Sequence, residues 1–137
     1  MLSPERNPNS IGWEQLIWEE TPYPGVSVSR IAEQPNPDNK GLPLYTLMAV
    51  QVDPEGSIPL HRHNREEGWL EIITFPTGGK FIIQTTDRLE VSGDNPISLQ
   101  LGPGDPFGLK NNNHIPLRFY SRMQPGFTGY AEIEELS

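Results

Sequence analysis

The chain has 137 residues, no cysteine and a formal net charge of -8 at pH 7. This length suits one domain with a hydrophobic core of its own, and the lack of cysteine excludes disulfides, zinc–thiolate sites and a thiol nucleophile. Excess negative charge without a basic cluster disfavours nucleic acid and anionic membranes as partners.

The first residues show no apolar signal segment, and no run of apolar residues is long enough for a membrane span. We therefore expect a cytoplasmic protein. The 13 glycines and 15 prolines lie between apolar segments and not in one tract. This distribution is typical of an all-β domain with many turns.

Residues 1–25 are predicted to form a short N-terminal arm and residues 26–137 a single barrel domain. Within the arm, an apolar patch at residues 11–17 predicts a turn or two of helix capped by Ser10. Trp13 and Trp18 are expected to cover one end of the barrel as a lid on the protein's own core, with a partner subunit as the alternative.

Beyond the arm, apolar residues recur with a period of two or form short apolar runs, and both patterns predict strands. The histidine pair described below lies on one of these strands, which follows a turn at residues 53–56. The other strands are expected at residues 26–31, 44–52, 69–75, 80–85, 89–91, 97–101, 117–120 and 127–133. The strand at 44–52 is apolar throughout, so we expect it to be central and buried on both faces. About nine or ten short strands without a long helix indicate a sandwich or barrel.

Two histidines lie close together in one predicted strand. His61 and His63 are two residues apart and therefore point to the same side of the strand. Glu66, Glu67 and Glu71 follow within eight residues. Two imidazoles and a carboxylate are the first requirement of a metal site with three or four ligands. The alternatives are an exposed strand for the histidines and a solvated loop for Glu66 and Glu67.

Residues 54–63, PEGSIPLHRH, resemble the first signature of the cupins, the superfamily of small double-stranded β-helix (jelly-roll, RmlC-like) barrels. That signature, roughly G-x5-H-x-H-x3–4-E-x6-G, supplies two histidines and a glutamate to one metal. The resemblance implies an all-β double-stranded β-helix with His61 and His63 as ligands. The glutamate has two candidates, because Glu67 has the right spacing from His63 and Glu71 has the right spacing to Gly78. The strand pattern that begins at Glu71 favours Glu71.

Residues 103–111, PGDPFGLKN, resemble the second cupin signature, roughly G-x5-P-x-G-x2-H-x3-N. In this alignment Phe107 stands where the family has its third ligand histidine. Phenylalanine has no lone pair to donate, so the implied site keeps three protein ligands. An alternative alignment makes His114 the third histidine, but it lacks the downstream asparagine and places Lys110 at the proline. His114 also suits an exposed turn. The resemblance covers residues 42–135.

These features are compatible with three functions. The first is a barrel pocket for a small molecule, with Phe107 as apolar wall and an incomplete metal site. The second is a metal-dependent dioxygenase or isomerase that holds Fe, Mn, Ni or Zn with His61, His63 and Glu71. The third is a structural or assembly protein in which the barrel and the Trp13/Trp18 segment mainly serve a dimer interface. We expect a homodimer, because pairing protects exposed strand edges.

Overall fold

The structure, a computed structural model, describes residues 12–77 and 79–136. Within these residues the chain forms eleven strands and two short 3-10 turns, Trp13–Gln15 and Tyr130–Glu132. The strands are β1 (Glu19–Glu20), β2 (Val26–Gln34), β3 (Tyr45–Val52), β4 (Ser57–His63), β5 (Leu70–Phe75), β6 (Gly79–Gln84), β7 (Arg88–Gly93), β8 (Ile97–Leu101), β9 (Phe107–Asn111), β10 (Leu117–Gln124) and β11 (Ile133–Glu135).

The strands form two antiparallel sheets. One has the order β1-β2-β3-β10-β5-β8 and the other the order β11-β4-β9-β6-β7. From β3 onward the chain crosses between the sheets at nearly every connection, so the two sheets wind together as a double-stranded β-helix. The all-β prediction is therefore confirmed. No helix in the described part of the chain has the length and apolar character needed to cross a membrane.

A cluster of phenylalanines fills part of the space between the sheets. The ring of Phe75 lies 4.6 Å from that of Phe81 and 4.7 Å from that of Phe119, centroid to centroid. All three side chains are almost fully buried. Burial of one such side chain stabilises the fold by roughly 1.5–3 kcal/mol. This cluster joins strands from both sheets and leaves the interior beside Phe119 for the cavity described below.

The segment before β2 packs on the outer face of the first sheet. The ring of Trp13 stacks on Tyr120 at 4.9 Å, and Trp18 lies 6.4 Å from Trp13. Leu16 joins them against the outward side chains of β3, namely Tyr45, Leu47 and Ala49. This contact confirms that β3 is buried on both faces. The tryptophans thus cover the protein's own sheet, and not an end of the barrel.

The expected N-terminal helix is reduced to the 3-10 turn Trp13–Gln15. The predicted cap, Ser10, lies outside the described residues. Several strands differ from the sequence pattern. β2 and β10 extend three and four residues past their predicted ends, β7 is longer at both ends, and β1 and β9 had no periodic signal of their own.

The strand predicted at residues 127–133 is wrong. In its place, residues 127–129 are irregular and are followed by the turn Tyr130–Glu132 and by β11. The cause is a side-chain contact, because Oε1 of Glu132 accepts hydrogen bonds from the backbone N–H and the hydroxyl of Thr128 at 3.0 and 2.8 Å. Such local bonds from side chain to backbone compete with a strand ladder.

Candidate functional site

β4 contains a bulge directly before the histidines. Ile58 pairs with Leu109 of β9, but His61 pairs with Phe107, so β4 has one extra residue between these pairs. In a regular strand Ile58 and His61 would point to opposite faces. The extra residue brings them to the same face, and Ile58, His61 and His63 are all buried. Both imidazoles therefore face the interior, as their spacing predicts.

Gly108 and Pro59 shape this bulge. A Cβ atom on Gly108 would lie 3.1 Å from Cα of Leu60 and 3.3 Å from the carbonyl oxygen of Ile58, so a larger residue would have to move the two backbones apart by a few tenths of an ångström. The carbonyl oxygen of Pro59 lies 2.8 Å from Nδ1 of His61. The bulge thus turns His61 inward and also holds its ring.

His61 presents a lone pair to the interior. Burial lowers the pKa of His61; the hydrogen bond to the Pro59 carbonyl opposes this shift, and the neighbouring His63 adds to it. The ring is therefore neutral at pH 7. Because a carbonyl oxygen can only accept, the proton lies on Nδ1, and Nε2 is the nitrogen available to a ligand.

His63 is held by a carboxylate from the C-terminal turn. Its Nδ1 lies 2.5 Å from Oε2 of Glu132. Burial by itself would raise the pKa of Glu132, but hydrogen bonds from His63 and Thr128 outweigh it and lower the pKa from 4.5 to about 2. Glu132 is thus ionised and only accepts, so Nδ1 of His63 carries a proton and donates it.

Arg65 supports the same contact from the other side of Glu132. Its guanidinium donates to Oε1 of Glu132 at 2.8 Å and to the carbonyls of residues 125 and 126 at 3.2 and 3.1 Å. It also lies 5.4 Å from the ring centroid of Trp69, and this ring stacks on His63 at 5.0 Å. The imidazole of His63 is therefore fixed both by a hydrogen bond at its edge and by an aromatic ring on its face.

Glu71 completes the polar cluster. It lies on β5 and is 5% exposed, with Oε1 3.8 Å from Nε2 of His63. Its Oε2 accepts a hydrogen bond from the hydroxyl of Ser121 at 2.5 Å. Burial raises the pKa of Glu71, and this effect exceeds the opposing effects of His63 and Ser121. The carboxyl group thus faces a site with little water, where a donor or a positive charge would stabilise its ionised form.

These three side chains line a cavity of about 80 Å³ inside the barrel. Its other walls are mostly aliphatic and aromatic, and they come from both sheets. Phe107 forms part of this wall, with its ring edge-on to His61 at 6.1 Å between centroids. Half-buried residues form the rim, among them Thr21, Tyr23 and Tyr130.

The structure places the alternative candidates for the glutamate and for the third ligand position in different surroundings. Glu71 lies beside the histidines, whereas Glu67 is exposed in the turn before β5. Phe107 lies next to His61 across the β4–β9 pair, and His114 is exposed in the turn between β9 and β10, outside the cavity. The cluster at the cavity therefore consists of His61, His63 and Glu71, with Phe107 as its apolar neighbour.

Sequence reasoning did not find Glu132, Arg65 or Ser121. The His63–Glu132 contact joins residues 69 positions apart, and the Ser121–Glu71 contact spans 50 positions. Glu132 was assigned to a strand in which alternate side chains face solvent. Only the pairing of β11 with β4 brings it to His63.

Within residues 12–77 and 79–136, no three His, Asp or Glu side chains form a metal-binding group. Two donors at about 2.1 Å from one metal lie about 3.0 Å apart at an angle of 90° and about 4.2 Å apart when they are opposite each other. The 3.8 Å between Nε2 of His63 and Oε1 of Glu71 lies within this range, whereas Phe107 offers no donor atom.

Comparison with known proteins gave matches at the level of structure. A scan of protein-family models found no match, and a search of curated proteins found none either. Solved structures match over most of the chain. An uncharacterised conserved protein with a double-stranded β-helix domain from Klebsiella pneumoniae is 14% identical with a TM-score of 0.64, over 93% of this chain and 96% of that chain.

Two further structures carry more specific names. The polyketide cyclase RemF from Streptomyces resistomycificus is 19% identical with a TM-score of 0.63, over 93% of this chain and 84% of that one. An RmlC-like cupin from Shewanella frigidimarina is 11% identical with a TM-score of 0.58, over 84% and 88% of the two chains. The chain therefore has the double-stranded β-helix fold of the cupins. Proteins with this fold include both enzymes and uncharacterised proteins, and function has to be argued from the site.

Proposed function

We propose that this chain with the cupin fold is a binding protein that holds a small molecule inside its barrel. The observation that carries the proposal is the convergence of His61, His63 and Glu71 on one cavity whose other walls are mostly apolar. Sites for small molecules combine such walls with a few polar groups that orient the ligand.

The volume of the cavity limits the size of the ligand. A cavity of about 150 Å³ admits benzene, which has six non-hydrogen atoms. By that scale, about 80 Å³ leaves room for roughly three or four non-hydrogen atoms. The ligand is therefore a very small molecule, or a larger one that inserts only one end past Thr21, Tyr23 and Tyr130.

The polar groups are held in position before a ligand arrives. His61 is fixed by the Pro59 carbonyl, His63 by Glu132 and Glu71 by Ser121. A ligand that enters does not have to order these side chains, which lowers the entropic cost of binding. Preorganisation of this kind favours specific recognition over general apolar packing.

A fragment screen by protein-observed NMR on the full chain tests the proposal. We expect small fragments to shift the resonances of cavity residues in the wild type. Val28→Phe places a larger ring in the cavity and should abolish these shifts. Leu89→Phe makes a comparable change on the exposed surface of β7 and should retain them. Fragment shifts that map outside the cavity, or that persist in Val28→Phe, would contradict the proposal.

A metal-dependent cupin enzyme using His61, His63 and Glu71 is the second candidate. The observation that favours it is that Nδ1 of His61 donates to a backbone carbonyl and Nδ1 of His63 donates to a carboxylate. A histidine that binds a metal through one ring nitrogen usually donates its other N–H to such an acceptor. Metal analysis of protein purified without chelator distinguishes the two functions. One equivalent of Fe, Mn, Ni or Zn that is lost in His61→Ala would support the enzyme and overturn the metal-free pocket.

The homodimer and the cytoplasmic location expected from the sequence stay predictions. Light scattering after size-exclusion chromatography measures the first directly, and fractionation of cells that produce the protein measures the second.

A further inference from the structure

The mouth of the cavity is crossed by a strap, residues 19–25. The strap begins with β1 and ends at Gly25, and its residues Thr21 and Tyr23 line the cavity. The ring of Tyr23 lies 6.3 Å from that of His61 on β4, centroid to centroid. Since β1 belongs to one sheet and β4 to the other, the strap closes the gap between the two sheets beside His61.

The strap is fixed at both of its ends. Before it, Trp13, Leu16 and Trp18 pack on the outer face of the first sheet. At its end, the carbonyl of Gly25 accepts a hydrogen bond from the N–H of Asp53 at 2.9 Å. Gly25 has a φ of 77°, in the left-handed region that glycine adopts without steric cost. A movement of the strap is therefore a hinge motion between two fixed points.

Few interactions hold the strap against its own sheet. β1 pairs with β2 through two residues, Glu19 and Glu20, which are both exposed. The hydroxyl of Thr21 adds a hydrogen bond to the carbonyl of Val26 at 2.9 Å. Short segments with so few contacts open locally at a small fraction of the free energy of global unfolding. The strap is thus a candidate for local opening in a barrel that otherwise stays folded.

No polar contact fastens the strap to the opposite rim, which consists of the turn Tyr130–Glu132 and β11. In the described part of the chain, no hydrogen bond or ion pair joins residues 19–25 to residues 129–135. The phenol hydroxyls of Tyr23 and Tyr130 likewise make no hydrogen bond with a described residue. Opening of the strap therefore breaks no bond across the mouth. The turn itself is held by Glu132, so the strap is the side of the mouth that moves.

We propose that residues 19–25 are a hinged lid that opens to admit the ligand and closes over it. In the closed form the cavity of about 80 Å³ takes roughly three or four non-hydrogen atoms. Opening removes Thr21 and Tyr23 from the mouth and uncovers the inward face of β2, so a longer molecule can enter beside His61. Once closed, such a lid keeps water from the polar cluster. This inference rests on the proposed function and adds the route by which the ligand enters.

Chemical modification of histidine with a locked lid tests the inference. Glu20 and Ser27 face each other across the β1–β2 pair, at a separation that a disulfide spans, and the chain has no native cysteine. Diethyl pyrocarbonate acylates neutral imidazole nitrogens and is much larger than the closed cavity allows. With a chelator present, we expect it to modify His61 in the wild type. Oxidised Glu20→Cys/Ser27→Cys should react at His61 at least tenfold more slowly, and reduction should restore the rate.

The chain supplies controls for this experiment. His114 is exposed and serves as the internal standard, because its rate should be equal in all variants. Trypsin cleaves after Arg62, so mass spectrometry of the peptides reports His61 separately from His63. Thr74→Cys/Ser98→Cys joins two facing residues of β5 and β8, away from the mouth. This second disulfide should leave the rate at His61 unchanged.

Release of the lid provides an independent variant. Thr21→Val removes the hydrogen bond to Val26 and should accelerate the modification of His61 at least threefold. Thr85→Val removes a similar bond, from the hydroxyl of Thr85 to the carbonyl of Asp87 in the turn between β6 and β7. It should have no effect on His61.

Two results would overturn the lid. Equal rates at His61 in the oxidised double-cysteine variant and the wild type would show that reagents enter elsewhere. No modification of His61 in the wild type while His114 reacts to completion would show that the mouth stays shut. In either case, shifts of cavity residues in the fragment screen would keep the small-molecule pocket, and their absence would reject the pocket as well. Should the double-cysteine variant fail to fold by circular dichroism, Thr21→Val and Thr85→Val decide the matter.

Discussion

Nδ1 of His63 donates a hydrogen bond to Oε2 of Glu132 at 2.5 Å, although the two residues lie 69 positions apart. The contact joins β4 to the turn Tyr130–Glu132, which directly precedes the edge strand β11. The C-terminal turn therefore belongs to the site, because it determines which nitrogen of His63 faces the cavity. The stability of the fold and the geometry of the site are coupled through this one carboxylate.

The stability of the protein should depend on pH through Glu132. Its pKa is about 2 in the folded protein and 4.5 in its ordinary state. The depressed value means that ionised Glu132 stabilises the fold fully above pH 4.5 and that this contribution is lost as the pH falls from 4.5 toward 2. The difference in unfolding free energy between wild type and Glu132→Gln should shrink by about 3 kcal/mol from pH 5 to pH 2. Urea denaturation across this range measures it.

Glu134→Gln is the matched control for that experiment. Glu134 forms an exposed ion pair with Arg62 at 3.1 Å, and such pairs contribute about 1 kcal/mol or less. Its difference from wild type should therefore change by no more than about 1 kcal/mol between pH 5 and pH 2. A constant difference for Glu132→Gln would show that Glu132 is not held in its ionised form.

Arg65→Met should destabilise the fold far more than Arg62→Met. Arg65 is nearly buried and pairs with the buried carboxylate of Glu132, so its removal leaves that charge unpaired. Loss of one partner of a buried pair costs about 3–5 kcal/mol. Arg62 is 42% exposed at its side chain, and its loss should cost about 1 kcal/mol or less. Chemical denaturation of both variants at pH 7 provides the comparison, and equal losses would contradict the assignment.

Gly108→Ala should destabilise the protein and disturb His61. The new methyl group would lie 3.1–3.3 Å from the backbone of Leu60 and Ile58, so β9 must move away from the bulge in β4. Overpacking of this kind costs about 1–3 kcal/mol. Gly41→Ala meets only a side-chain oxygen at 3.6 Å and serves as control, with an expected change within about 0.5 kcal/mol. Thermal unfolding gives both values, and the NMR resonances of the His61 ring report the disturbance.

Phe107→His should increase the affinity of the cavity for Zn²⁺ or Ni²⁺. The substitution adds a third imidazole next to His61, because the ring centroid of Phe107 lies 6.1 Å from that of His61. Equilibrium dialysis should show well under one equivalent of metal on the wild type and close to one on the variant. Leu89→His controls for an added surface histidine. One equivalent on the wild type would show that Phe107 does not impair a metal site.

Several features followed from the sequence because they depend on residue type and local period. Alternation in segments such as residues 97–101 predicted strands, and the spacing of His61 and His63 placed both rings on one face. The apolar run at β3 predicted burial on both faces, which the packing of Trp13 and Leu16 confirms. The identity of Phe107 also showed that this position offers no ligand atom.

Other features required the tertiary structure. Both Glu67 and Glu71 had acceptable spacing, and only the placement of β5 beside β10 brought Glu71 to Ser121 and the histidines. The inward direction of His61 depends on a bulge opposite Gly108, on another strand. By itself, the sequence determined the strands and the residue types that face inward, because side-chain alternation is local. The partners of those residues lie 50 to 69 positions away, so only the pairing of distant strands decided them.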